Sequence, residues 1–176
     1  MPQPFAAYDP VAHGRPAEAV VREAHDADLP GCAILAQTRN GGDLAAWERA
    51  LRADLMAADR LLLVAVTAGR PVGYACAGRQ SYVRTGGRNV PDGWFLTGLV
   101  VAPPHRRGGI GRRLTQRRLQ WLDGRTDKVW YFASALNRPT LELHRKLGFH
   151  EVTRDFTVPG VTFSGGTGIL SVRGDA

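Results

Sequence analysis

The chain has 176 residues, enough for one domain with its own apolar core. With 44% hydrophobic and 22% charged residues it is neither a disordered nor a fibrous sequence, and no apolar run approaches the roughly 20 residues that span a bilayer. The net charge of +7 is unevenly placed: Arg60 to Arg118 holds eleven arginines against one acid, Asp92, so an anionic ligand is expected near that stretch. The start, MPQPFAAYDPVAHGRP, lacks the basic head and apolar centre of a secretory signal. Without such a signal, Cys32 and Cys76 are expected as reduced thiols and the cytoplasm as the compartment. No basic stripe interleaved with aromatics appears, so nucleic acid is not the favoured partner.

Residues 1–17 read as a loose, Pro-spaced arm. Ala19 to Ala24 predicts a short strand. Asp26 is the expected cap of a helix from Asp28 to about Gln37, and Asp43 of a second one to about Ala58. Leu44, Trp47, Leu51 and Leu55 recur at three- and four-residue steps, which gives that second helix an apolar stripe. Leu61–Val66 and Val72–Tyr82 flank Ala68-Gly69-Arg70 and predict an antiparallel hairpin. A polar loop, Thr85 to Asp92, leads to Trp94–Val101, almost unbroken apolar and read as a buried strand. A helix after the Gly-rich turn should bury Ile110, Leu114 and Trp121 or Leu122. Lys128–Ala135 is apolar on both faces, as a central strand is. A short helix follows from about Arg138 to Leu147, with Gly148 as its left-handed end. His150–Val158 and Val161–Val172 complete the chain as a last antiparallel pair. There is no internal repeat.

The chemistry concentrates between the buried strand and the helix after it. Pro103 and Pro104 stop the strand, and Gly108, Gly109 and Gly111 bring bare backbone amides to a helix N-terminus. Arg106, Arg107, Arg112 and Arg113 surround them with full charges. A helix N-terminus carries unpaired donors and partial positive charge, so it suits phosphate. No Lys-Ser/Thr pair follows the glycines as in a P-loop, and their spacing does not fit a dinucleotide fingerprint. A plain strand-to-helix turn with a solvated arginine face is the simpler alternative.

Arg106-x-x-Gly109-x-Gly111 after Leu99-x-Val101-x-Pro103 resembles the acetyl-CoA-binding motif of the GNAT N-acetyltransferase superfamily. A second stretch, Asn137-Arg-Pro-Thr-Leu-Glu-Leu-His144-Arg-Lys-Leu-Gly148-Phe149, is similar to the family's later signature, and the element order matches over roughly residues 19–172. The resemblance implies an α/β fold of GNAT type (acyl-CoA N-acyltransferase), with a mixed central sheet of about seven strands and about four flanking helices, as a single domain over residues 1–176. It implies acetyl-CoA as cosubstrate, held by Leu99, Val100 and Val101 of the strand, by Arg106, Arg107, Gly108, Gly109, Ile110, Gly111 and Arg112 of the loop, and by Asn137 and His144 of the later motif. It also implies an oxyanion donor from the strand backbone near Val100. One departure stands out: His144 occupies the place of a Tyr often assigned as the acid that protonates the departing thiolate. His144 can take over that role, or it is an ordinary helix histidine in an enzyme that works by positioning.

The base is not selected by spacing. The position where many relatives carry Glu holds Thr97, which cannot act as one; Asp92, Glu48 and Glu151 through water, or Tyr131, Ser134 and Cys76, are the alternatives. The five histidines lack the spacing of a metal site, so no metal is expected. The resemblance implies an acceptor between Asp28–Ala58 and Pro159–Thr167, where Trp47 and Phe163 are candidate walls. The expected reaction is direct attack of a primary amine, on a small molecule or peptide, at the acetyl thioester. Acetylation of aminoacyl-tRNA and a CoA-binding module without turnover are the alternatives. A monomer or a homodimer is expected, with no membrane partner.

Overall fold

The apolar periodicities fold close to where they stand in the sequence. The computed structural model describes residues 3–5, 18–83 and 88–174. Its elements, in chain order, are β1 (Gln3–Phe5), β2 (Val20–Glu23), α1 (Leu29–Asn40), α2 (Leu44–Met56), β3 (Arg60–Thr67), β4 (Arg70–Gln80), β5 (Gly93–Val101), α3 (Ile110–Leu122), β6 (Val129–Ser134), α4 (Arg138–Lys146), β7 (His150–Thr153), β8 (Val161–Phe163) and β9 (Gly168–Arg173). Seven strands form one mixed sheet in the order β2-β3-β4-β5-β6-β9-β7, accompanied by the four α-helices. This is the fold class expected from the sequence.

The chain clusters into two compact units, and β4 and β5 run through both. One unit comprises Asp9–Gly78 with Leu96–Asp123. Here β2, β3 and β4 are antiparallel neighbours, and the β3–β4 turn uses Ala68 and Gly69, both at positive φ. The Asp43 carboxylate accepts from Ala46 N–H at 2.7 Å and starts α2 as expected. Leu51 of α2 is buried, and Trp47 and Leu55 pack on the same core, with Leu29, Cys32, Ala33, Ala36, Leu62, Val64, Tyr74 and Val100. Burying aliphatic side chains of this size stabilises by about 1.5–3 kcal/mol each. The cap before α1 differs from expectation. Asp26 reaches Arg52 instead, at 2.6 Å. Asp28 is the buried acid; it accepts from the His25 amide at 2.9 Å and from both Arg22 Nη atoms at 2.7 and 2.9 Å.

The other unit comprises Met1–Tyr8, Arg79–Phe95 and Gly124–Ala176. In it β6 pairs antiparallel with β9 over its whole length, and β9 pairs antiparallel with β7. The start of β5 runs parallel to β6, through two residue pairs, Trp94–Val129 and Phe95–Trp130. Phe95, Val90, Val158 and Leu170 are buried here among Tyr82, Trp130, Phe132 and Phe156. The Asn137 side chain accepts from Thr140 N–H at 3.4 Å at the start of α4, which has Pro139 in its first turn. Gly148, at φ +90°, ends the helix, and Phe149 N–H returns to the His144 carbonyl at 3.1 Å, as the sequence suggests.

Two expectations change. The last pair is shorter than residues 150–172 suggest, because Pro159-Gly160 and Gly165-Gly166 interrupt it; Val161–Phe163 becomes a separate strand. That strand pairs in parallel with Gln3–Phe5, so this part of the supposed loose arm is β-structure. The rest of the arm, and the loop over residues 84–87, lie outside the described residues.

Candidate active site

At the end of β5 the sheet register dictates which amides can meet a ligand. Ala102 N–H donates to the Val72 carbonyl of β4 at 2.8 Å. The Val100 carbonyl also faces β4, since a Cβ on Gly73 would stand 2.9 Å from it. Successive residues of a strand alternate sides, so Leu99 and Val101 direct their amides to the opposite edge. The Val101 carbonyl is on that edge, where it accepts from Arg106 Nε at 2.9 Å.

The loop that follows is shaped by a one-turn helix at Pro103–His105 and by two left-handed residues, Arg107 at φ +64° and Gly109 at φ +82°. A non-glycine residue in that region is uncommon and marks a constrained backbone. Gly109 is the N-cap of α3 and provides no side-chain cap, which leaves the first-turn amides without one. Ile110 and Leu114, both buried, seat the helix, and Arg113 is tied to the Ala19 carbonyl at 2.6 Å. Arg107 and Arg112 are exposed beside the loop. Gly111 is informative because packing does not require it. A Cβ there would meet a single neighbour, Leu99 Cδ2, at 3.9 Å, an ordinary contact. A helical Gly costs about 0.5–1 kcal/mol relative to Ala. Open space above a glycine that the fold does not need, at an uncapped helix N-terminus, fits the approach of a phosphate to the backbone.

The later motif lies in the other unit. His144 is 2% exposed, stacks on Tyr131 at 3.9 Å between ring centroids, and meets Phe149 edge-on at 5.2 Å. Its Nδ1 is 2.8 Å from the Thr140 carbonyl, so Nδ1 carries a proton and donates it. In the neutral ring Nε2 is then an acceptor. Asn137 sits two turns earlier, with its Oδ1 engaged in the cap.

The residues considered as bases each have local partners. Asp92 accepts from Ser81 Oγ and the Tyr82 amide, Glu48 from Arg52, and Glu151 from Arg154 at 2.7 and 3.0 Å. The Arg154 hydrogen bonds hold the Glu151 carboxyl below the usual range. Ser134 Oγ donates to the Ser164 carbonyl. Burial pushes Tyr131 up to about 12 and the Cys76 thiol well above its ordinary value, so neither is ionised at neutral pH. Both cysteines are free and buried. Trp47 donates to the Gly41 carbonyl at 2.8 Å, and the Phe163 ring packs against Phe132 and Phe156. Among the described residues no group of three or more His, Cys, Asp or Glu could hold a metal ion, and no helix is long and apolar enough to cross a membrane.

One residue escaped the sequence reading. Arg118 belongs by position to the arginines of the loop helix, yet it is 1% exposed. Burial pulls it down to about 10, so it stays protonated at neutral pH. Its place on the buried face, one turn beyond Leu114 and one before Leu122, was the available signal.

Comparison with known proteins bears on the family and the fold. The model of the acetyltransferase (GNAT) family matches residues 22–149. No curated protein matches the sequence significantly. Among solved structures, ribosomal-protein-alanine N-acetyltransferase from Brucella melitensis superposes with a TM-score of 0.69 at 22% identity, over 89% of this chain and 99% of that one. The NatC complex bound to Gag peptide and CoA gives 0.68 at 14% identity, over 90% and 99%. Aminoglycoside 6′-acetyltransferase type Ii gives 0.64 at 18%, over 88% and 96%. At such identities the likeness establishes the fold, while the family match spans both motifs and most of the sequence; the chain belongs to the acetyltransferase (GNAT) family.

Proposed function

We propose that the chain transfers an acetyl group from acetyl-CoA to a primary amine of a small molecule or peptide by direct attack. The observation that carries this reading is Gly111, a glycine without a packing reason at an uncapped, arginine-flanked helix N-terminus. The amides from Gly108 to Gly111 hold the pyrophosphate, and Arg106, Arg107 and Arg112 supply charge. Asn137 and His144 take the later-motif role that the resemblance implies.

The neutral amine attacks the thioester carbonyl, an N–C bond forms, the C–S bond breaks, and the proton shed by nitrogen ends on the thiol or in solvent. The carbonyl oxygen gains charge on the way and needs a directed donor. The donor is the Leu99 or Val101 amide in place of Val100, whose backbone faces β4. His144 protonates the thiolate only as the imidazolium, because its Nδ1 proton is engaged with Thr140.

Calorimetry with acetyl-CoA tests the reading, with an Arg107→Glu/Gly111→Glu variant beside the native protein. Binding that is lost in the variant supports it, and thiol release with a panel of amines then separates an enzyme from a CoA-binding module. A well-folded native protein that does not bind acetyl-CoA would overturn it.

A further inference from the structure

Arg118 lies in the interior, and among the described residues it has no counter-ion. Its Nη1 donates to two carbonyls, Cys76 O of β4 and Thr97 O of β5, each at 3.0 Å, and its Nη2 donates to Thr115 Oγ1 at 2.9 Å. Among the described residues its Nε is buried with no partner and no carboxylate pairs with it. Burying a charge in this way is costly, and filling space alone would not require one. A packing role therefore does not explain the guanidinium.

What it does is join two neighbouring strands where their regular run is broken. Gly98, next to Thr97, has φ +53° inside β5, and a Cβ there would press on Cys76 Sγ at 3.3 Å and on the Tyr74 ring at 3.4 Å. A left-handed residue within a strand re-aims the peptide groups that follow it. Those groups are Leu99 and Val101, whose amides lie on the edge away from β4. One planar guanidinium with fixed donor directions suits such a clamp better than an ammonium, which is a point charge on a flexible stem.

We propose that Arg118 is a positioning residue for acyl transfer: by holding the Thr97 and Cys76 carbonyls together at the Gly98 kink, it sets the direction of the Leu99 and Val101 amides that meet the thioester oxygen. This rests on the acetyltransferase reading above. Arg118 touches no reacting atom in this account. Its effect is on kcat, since a small misplacement of a catalytic donor lowers the rate by up to about 100-fold.

The test uses Arg118→Met and Arg118→Lys. Amide hydrogen exchange across residues 97–101 is read first, without ligand or turnover. In Arg118→Met, exchange at Val100, whose backbone faces β4, is expected to accelerate by about tenfold or more while α1 and α2 keep native protection. The value of kcat is expected to fall by about 10- to 100-fold, with the acetyl-CoA KM within about threefold of native, and Arg118→Lys is expected to fall between Met and native. If Arg118→Met does not fold, the same readings on Arg118→Lys decide. Native exchange at residues 97–101, or native kcat in a folded Met variant, overturns the proposal. A native protein that neither binds acetyl-CoA nor releases thiol overturns the acetyltransferase reading and the role in transfer with it, and the exchange data then show separately whether Arg118 holds the strand.

Discussion

The Val100 carbonyl oxygen and Gly73 face each other so closely that a Cβ on Gly73 would stand 2.9 Å from the oxygen. No relaxed structure tolerates that contact with backbone, so the two strands must separate if a side chain is added. Gly73→Ala is expected to lower stability by about 1–3 kcal/mol, the usual cost of overpacking, and to shift the β5 edge. Thermal melting and kcat should fall together, and a variant with native melting and native kcat would show that this register does not matter.

Gly111→Ala separates folding from binding. The added methyl meets only Leu99 Cδ2, at 3.9 Å, and Ala is the better helix former by about 0.5–1 kcal/mol. The variant should therefore melt at or above the native temperature. If a phosphate approaches this backbone, acetyl-CoA binding measured by calorimetry should weaken by about tenfold or more, as a lost charge-assisted contact would. Unchanged affinity would move the pyrophosphate away from Gly111.

Asp28 links the sequence before α1 to acid stability. Desolvation pushes its carboxyl up, but the bidentate Arg22 pair and the His25 amide outweigh this and hold it below the ordinary range. A carboxyl depressed in the folded state contributes stability above its unfolded value, near 4, and loses it as pH falls through the lower folded value. Asp28→Asn should cost about 1–3 kcal/mol at pH 7 and should flatten the decline of the denaturation midpoint below about pH 4. An unaltered acid limb in that variant would assign the pH dependence to other carboxylates.

Much of this was legible from spacing. Asp43, Gly148 and the paired motifs around Gly109 and Asn137 fall where local rules put them, because caps and turns depend on neighbours a few residues away. What stayed hidden depended on partners distant in sequence. Asp26 and Asp28 are equivalent as cap formers until Arg22 and Arg52 claim them. Val161–Phe163 reads as the continuation of a hairpin until Gln3–Phe5 pairs with it. Val100 and Val101 are alike as apolar strand residues, and the Ala102–Val72 bond and the Gly73–Val100 contact show which of them faces β4. Arg118 looked like one more basic residue on a basic helix, and composition counted it with the anion-facing charge.

Glu151, one of the candidate bases, is engaged by a local partner. Its exposed carboxylate accepts two hydrogen bonds from Arg154, which hold it ionised well into the acid range. A carboxylate depressed in this way is a weaker proton acceptor. Glu151→Gln is expected to leave kcat/KM and its pH profile within about twofold of native, as for a surface substitution away from the chemistry. A drop of about 100-fold with loss of the basic limb would reinstate it as the base.

His144 gives the strongest test of the chemistry. Its ring is buried against Tyr131 and Phe149, and its Nδ1 proton is shared with the Thr140 carbonyl. A neutral ring so tied can stack and fill space, but it has no second proton to give. If it acts as the leaving-group acid, the doubly protonated form is the active one, and kcat must fall as pH rises through the titration of the ring. His144→Phe keeps an aromatic face for Tyr131 and removes the proton. Under the acid role it should lower kcat by about 100-fold and abolish the pH dependence of what remains. A His144→Phe enzyme with native kcat and a native pH profile would leave the thiolate to depart unaided, and the rate would then rest on the alignment of amine, thioester and strand amides alone.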